Sequence, residues 1–282
     1  MHAAPLVHRF ARATALAAFV LILAGASVTS TKSGLAVPDW PLSYGQWMPP
    51  MQGGVFFEHG HRMIAGLVAA MVWILAILAW QSESSAGVRR LAWLAAGAVL
   101  VQAALGGITV LYGLAKPVSV VHACLAQALF STLVFLAVST GPRSAELARP
   151  LDPEPAQRLR KTAGVAAGAV FLQLIFGASY RHGLVSIAPH MAGALLASAA
   201  VLVAVYRASA DFPPSAGLWR TAVALGGAVL AQVFLGLFAF VVRSPVAATL
   251  HVGVGALILA LAVALGAKAH ALAAPKEASS WA

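Results

Sequence analysis

Charge is what this sequence lacks most. Of 282 residues only 9% are charged, and 8 of them are acidic, against 61% hydrophobic residues; a soluble domain carries roughly 25% charged side chains. A water-soluble globular fold is thereby excluded. Cysteine is almost as scarce. Cys124 stands alone, which excludes an intrachain disulfide and a CxxC metal site, and its place inside an apolar run reads as a small buried residue. No HExxH or similarly close set of ligands suits zinc.

What remains is a series of apolar runs, each near the roughly 20 residues that a helix needs to cross a bilayer core. Eight are legible, at about 13–30, 61–80, 90–111, 119–139, 162–180, 187–206, 219–241 and 247–270. The fold expected is an all-α integral membrane protein of eight transmembrane helices. The net charge of +10 needs no nucleic acid, because basic residues collect in loops that stay in the cytoplasm. An inside N-terminus puts Arg9, Arg12, Arg89, Arg90, Arg143, Arg149, Arg158, Arg160, Lys161, Arg207, Arg220, Lys268 and Lys276 on the cytoplasmic side. Only Lys32, Arg62, Lys116, Arg181 and Arg243 are then outside. The expected location is the inner (cytoplasmic) membrane, multi-pass, with both termini cytoplasmic. Residues 1–29 also resemble a signal peptide, with Arg9 and Arg12 before an apolar stretch and small residues at Ala24 to Ser27. The internal repeat requires this segment as an uncleaved first helix.

That repeat is plain in the text. Gln102, Gly106, Pro117 and His122 recur as Gln232, Gly236, Pro245 and His251; a third copy runs Gln173, Gly177, Pro189, His190, and a worn fourth runs from Gly25 to His61. His61 to His122 and His190 to His251 are both 61 residues, and the halves are offset by 129. The pattern predicts two pseudo-symmetric four-helix bundles, 1–145 and 146–282, with a histidine opening every even-numbered helix near the extracytoplasmic surface. The glycines read as points of close helix approach. The glutamines read as interhelical hydrogen-bond partners, since an unsatisfied amide in lipid is costly.

Ionisable residues inside a membrane are functional hypotheses by default, and four imidazoles at one repeated position suit iron. One histidine from each of two neighbouring helices can hold a haem between them. The outer cations Arg62, Lys116, Arg181 and Arg243 would then meet haem propionates, or equally lipid headgroups. His59 and His182 read as surface-loop residues, while His2, His8 and His270 fall near the other face or in tails.

The halves differ in one respect. From repeat glycine to next histidine the gaps are 36, 16, 13 and 15 residues, so only the first outer loop is enlarged. Its proline, glycine and aromatic content, including Trp40, Tyr44, Trp47, Phe56 and Phe57, reads as an interfacial lid, which places chemistry in the first half. Glu58, three residues before His61 at a helix start, is a general base or a stabiliser of positive charge beside the porphyrin. Equally, it is a helix N-terminal acid paired with Arg62.

"SGLAVPDWPLSYG" followed by "EHGHR", with His122, His190 and His251 opening later helices, resembles the haem A synthase family over essentially the full chain. The resemblance implies oxidation of the C8 methyl of haem O to a formyl group, through successive hydroxylations and a gem-diol that loses water. It implies Glu58 as a catalytic residue, His61 and His122 around the substrate haem with Arg62 close by, and His190 and His251 as ligands of a haem b. Haem b is then the cofactor and haem O the substrate. Implied partners are a haem O synthase, cytochrome oxidase subunit I or its assembly factors, and an unidentified electron acceptor; homo-oligomer formation is left open. Many bacterial members carry a cysteine pair in the first outer loop, and here Ser43 stands at the usual place of one, so thiol-based redox control of the loop is excluded. The alternative is a dihaem b-type membrane electron-transfer cytochrome.

Overall fold

In a hydrocarbon layer no water satisfies backbone N–H and C=O groups, so apolar runs that cross it fold as helices. The computed structural model describes residues 3–82, 84–141, 153–214 and 217–273. Its helices are α1 (Ala3–Ser30), α2 (Gly54–Gln81), α3 (Ala86–Leu111), α4 (Lys116–Ser139), α5 (Pro153–Arg181), α6 (Ala188–Asp211), α7 (Gly217–Val242) and α8 (Pro245–Ala273). All eight are long and apolar enough to span a membrane.

The helices close into two rings. α1 packs on α2, α2 on α3, α3 on α4 and α4 back on α1; α5 to α8 repeat that circuit. The rings meet along α1, α4, α5 and α8, where α8 contacts both α1 and α4. Two four-helix bundles result, each with its own core. Alanine dominates the buried faces: Ala11, Ala76 and Ala96 in the first core and Ala163, Ala166, Ala204 and Ala262 in the second are fully buried. Lipid gives helices no hydrophobic reason to associate, so small side chains that let backbones approach hold the rings together. Leu133 and Leu225, both fully buried, fill the remaining space.

The helices begin earlier than the apolar runs suggest. α1 starts near residue 3 rather than 13, α2 at 54 rather than 61 and α5 at 153 rather than 162. The added turns carry Arg9, Arg12, Arg158, Arg160 and Lys161, whose heads reach water while their stems stay helical; an apolar-run count sees only the hydrocarbon part. Consequently no histidine opens its helix. His61 is the eighth residue of α2, His122 and His251 are the seventh of α4 and α8, and His190 is the third of α6. Phe56 and Phe57, expected in the loop, form an edge-to-face pair on α2 with centroids 5.5 Å apart. The expected boundary between halves at 145/146, and His2, Arg143, Arg149 and Lys276, lie outside the described residues.

Leu133→Ala or Leu225→Ala should cost about 2–5 kcal/mol by leaving a cavity, read as a lowered thermal unfolding midpoint in detergent. Leu195→Ala, at a 75% exposed site, should leave the midpoint unmoved.

Candidate functional site

Each repeat glycine is the seat of the next helix's histidine. A Cβ on Gly25 would stand 2.9 Å from Cε1 of His61; the corresponding distances are 3.2 Å for Gly106 and His122, 3.0 Å for Gly177 and His190, and 2.8 Å for Gly236 and His251. The imidazole thus fills the space a larger residue would occupy. The repeat glutamines act on the same rings. Gln102 Nε2 donates to the His122 carbonyl at 3.0 Å and Gln173 Nε2 to the His190 carbonyl at 2.8 Å. Gln173 Nε2 is also 2.8 Å from His190 Nδ1. At His251, Nδ1 lies 3.2 Å from the Gln232 carbonyl oxygen, and Nε2 lies 3.3 Å from Gln232 Nε2. In the first copy Leu21 takes the glutamine's place four residues before Gly25.

The rings come in pairs. His190 and His251 face each other with centroids 6.1 Å apart and planes at 80°. A metal ion held by one nitrogen of each ring would need a separation of this order. In the first half His122 lies within electrostatic range of His61, and both rings are seated against glycines of the preceding helices. Among the described residues no three His, Cys, Asp or Glu side chains cluster closely enough for a bare metal ion. Paired imidazoles are the donor set of a haem iron with two axial ligands. The residues present fit that group in both halves.

The loop between α1 and α2, residues 31–53, is ordered by the charged motif beside it. Arg62 Nη1 donates to the carbonyls of Asp39 (2.7 Å) and Leu42 (2.8 Å) and to Ser43 Oγ (3.4 Å). Its Nη2 donates to the Val37 carbonyl (3.3 Å) and to Glu58 Oε1 (2.5 Å). The other Glu58 oxygen accepts from the Val37 N–H at 2.9 Å, and Val37 is fully buried. The Glu58–Arg62 pair is itself almost out of solvent, at 4% and 14% side-chain exposure. Above it, Ser43 and Gln46 exchange two 3.0 Å backbone bonds around Tyr44 and Gly45. Both of these have positive φ, as a two-residue hairpin turn requires. Asp39 accepts from both of their N–H groups, at 2.7 and 2.8 Å. The Gly45 N–H first, then that of Tyr44, holds the Asp39 carboxyl below its usual range. The Tyr44 hydroxyl closes the loop onto the Ala36 carbonyl.

Glu58 lies in the second turn of α2 rather than at its start, and its Arg62 pairing is realised. His59 is not a surface-loop residue: it lies on α2, 6% exposed, with Nδ1 2.7 Å from the fully buried Ser43 Oγ. The helix that begins at Gly54 carries it inward. Ser43, noted only as a missing cysteine, thus supplies a buried hydroxyl to the motif. Gly107 escaped notice as well. A Cβ there would sit 2.8 Å from Cδ2 of Trp40, so the loop's indole rests on α3, and the doubled glycine at 106–107 was its only trace in the sequence. His182 occupies the turn after α5, half-buried, and that burial, followed by the neighbouring Arg181 charge, lowers its pKa. Of the cations expected on the outer side, Lys116 Nζ donates to the Gly183 carbonyl at 3.1 Å, and Arg181 donates to α1. Arg243 is exposed at the end of α7.

Gly236→Val should displace the His251 ring, and any haem held between His190 and His251 should be lost from the purified protein, measured by pyridine haemochrome. Arg62→Ala should open the loop: breaking a buried ion pair costs about 3–5 kcal/mol, and protease cleavage within residues 31–53 should accelerate. Asp39's lowered pKa means its contribution is complete above the unfolded value of about 3.9 and is lost as pH falls through the folded one. Cleavage of the loop by an acid-active protease should therefore rise only below that range, and Asp39→Asn should abolish the dependence.

Comparison with known proteins places this geometry. The sequence pattern of the COX15-CtaA family, described as cytochrome oxidase assembly protein, matches residues 51–193, just over half of the chain. A protein named Heme A synthase from Alkalihalophilus pseudofirmus (strain ATCC BAA-2126 / JCM 17055 / OF4) is 31% identical over 128 residues, covering 44% of this chain and 43% of that protein. Another of that name, from Rhodopseudomonas palustris (strain BisB18), is 29% identical over 227 residues, or 65% of this chain and 60% of that protein. A Protoheme IX farnesyltransferase of Halobacterium salinarum (strain ATCC 29341 / DSM 671 / R1) is 32% identical over 122 residues, covering 43% of this chain and 27% of that protein. The chain thus aligns with less than two thirds of the length of these relatives. The family pattern spans the loop's last turn, the Glu58–Arg62 motif and three of the four seated histidines, and this multi-pass membrane chain belongs to the COX15-CtaA cytochrome oxidase assembly protein family.

Proposed function

We propose that this chain is a haem A synthase, oxidising the C8 methyl of haem O to a formyl group. The observation that carries the reading is the paired, glycine-seated imidazoles of both halves, in a chain of this family. The conversion adds one oxygen, equivalent to one water, and removes four electrons and four protons. Residues 1–145 hold the substrate haem and 146–282 a haem b, which supplies a one-electron redox centre when bound. His61 and His122 grip the substrate from opposite helices, and Gly25 and Gly106 set the depth of their rings. Glu58 shares the His61 face of α2, since residues three apart on a helix lie together. Its hydrogen bonds to the Val37 N–H and Arg62 fix the position of the carboxylate, which takes a proton near the methyl group or balances developing positive charge. Arg62 stands at the outer rim of the same site, and Trp40 seats the loop over it against Gly107.

The excess of basic residues in one set of loops supports an inner-membrane orientation with both termini cytoplasmic and the histidines toward the outer side. Haem O must come from a farnesyl-transferring enzyme, and similarity to part of a protein named Protoheme IX farnesyltransferase favours proximity to that supplier. Cytochrome oxidase subunit I or its assembly factors consume the product.

The equal seating of both histidine pairs favours a second reading, a dihaem electron-transfer cytochrome. One experiment separates the two. Expression in a host that makes haem O but no haem A, followed by reverse-phase separation of extracted haems with mass detection, should yield haem A or its hydroxylated precursor. Haem-loaded protein that leaves haem O unchanged in membranes containing an electron acceptor would favour the cytochrome. Within the enzyme, His190→Leu or His251→Leu should chiefly remove haem b, whereas His61→Leu, His122→Leu or Glu58→Gln should chiefly remove product. Indistinguishable losses would contradict the division of labour.

A further inference from the structure

Three consecutive residues at the end of α5 reach the surroundings of all four histidines. The Tyr180 ring lies nearly parallel to His190, with centroids 6.5 Å apart and planes at 10°. Arg181 crosses between the bundles: its Nη2 donates to the Ala26 carbonyl at 2.9 Å and to Ser30 Oγ at 2.7 Å, both on α1. Ala26 follows Gly25, the seat of His61. Ser30 Oγ also accepts from Thr249 Oγ1 at 2.9 Å, two residues before His251 on α8. His182, next in the chain, lies within electrostatic range of His122, and Arg181 within that of His251.

The acceptors of Arg181 are neutral. Among the described residues the ion pairs are Glu58–Arg62 and Glu154–Arg158, so no described carboxylate of the protein neutralises this guanidinium. It is half-buried, in surroundings where charges act over longer distances than in water, and arginine does not lose its proton there. A haem iron gains one electron, and loses one unit of net positive charge, on passing from ferric to ferrous. A fixed cation beside it favours the reduced form, and local charge and burial are levers a protein has on haem potential.

We propose that Arg181 is a positioning residue through which the first bundle tunes the second: held by Ala26 and Ser30, its charge raises the reduction potential of the iron between His190 and His251. The second-half haem is thereby biased toward accepting an electron released in the first half. This rests on the reading of His190 and His251 as haem b ligands, and the experiment keeps the two apart.

The haem-loaded full chain, in a His61→Leu background that disables the first-half site, is titrated spectroelectrochemically alongside a haemochrome assay of bound protohaem. Arg181→Gln should retain haem and shift its midpoint potential downward beyond titration error, and Arg181→Lys, which keeps the charge, should restore most of the shift. An unmoved potential in a haem-retaining Arg181→Gln protein would overturn the proposal. So would equal downward shifts in the Gln and Lys variants, which would assign the effect to packing rather than charge. Should Arg181→Gln lose its haem, Ser30→Ala decides, because it touches no haem ligand and releases one of the two bonds that place the guanidinium: a lowered potential supports the proposal and an unshifted one overturns it. Absence of protohaem from the parent protein would remove the haem b reading, and the tuning proposal with it.

Discussion

At four places in this protein an imidazole occupies the side-chain space of a glycine on the neighbouring helix, and the rest of the architecture follows from that contact. A ring driven into the backbone of the preceding helix fixes where the two helices cross and how they are rotated. Repeated between α1 and α2, α3 and α4, α5 and α6, and α7 and α8, it presents two rings to the interior of each bundle. Small residues elsewhere let membrane helices approach one another for packing alone. Here the absent side chains also make a cradle, so tight packing and a binding geometry are one arrangement. The glutamines four residues before three of these glycines hydrogen-bond to the seated histidines and so help to fix the orientation of those rings.

The first bundle adds what the second lacks. Its loop is tied down by a guanidinium with five acceptors, one of them a carboxylate that also holds the Val37 N–H. Burying an ion pair is a weak route to stability, but a fully satisfied one imposes a single arrangement. The result is a loop whose position is set by the same turns of α2 that carry His61. In the proposed reading Glu58 carries two demands at once, organising the loop and facing the substrate. Replacing it by alanine would disturb both. Glutamine, which keeps an acceptor for the Val37 N–H and loses the charge, separates them better.

Much of this was legible in the sequence, for reasons that can be named. Eight spans show because the hydrocarbon layer demands long apolar runs, and the bundle repeat shows because each seat needs a glycine on one helix and a histidine near the start of the next. The glycine's partner did not show. Gly25 and His61 are 36 residues apart, and nothing in one dimension says that the missing side chain of one is the pocket of the other. The helix starts lie earlier for a related reason: "GVFFEHG" contains a carboxylate and an imidazole, which looks like loop, yet the carboxylate is held by Val37 and Arg62 and the imidazole Nδ1 by Ser43. His59 was misread by the same logic. Polarity marks exposure only where no partner waits, and Val37 and Ser43 lie 21 and 16 residues from Glu58 and His59 in the chain.

The seam between the bundles was the least legible part. Arg181 counted in the sequence as one of five outer cations, a residue for propionates or headgroups. Its acceptors, Ala26 and Ser30, are about 150 residues earlier, and Thr249 joins from the opposite end of the chain. A duplicated protein whose halves worked independently would need no such junction, and a hydrophobic seam of α1, α4 and α8 would suffice. Instead the contact is polar and directional, in a place where an unsatisfied polar group is costly. It lies beside the histidines rather than at the distant end of the helices. The halves are therefore joined beside their histidine pairs, by a cation of α5 hydrogen-bonded into α1.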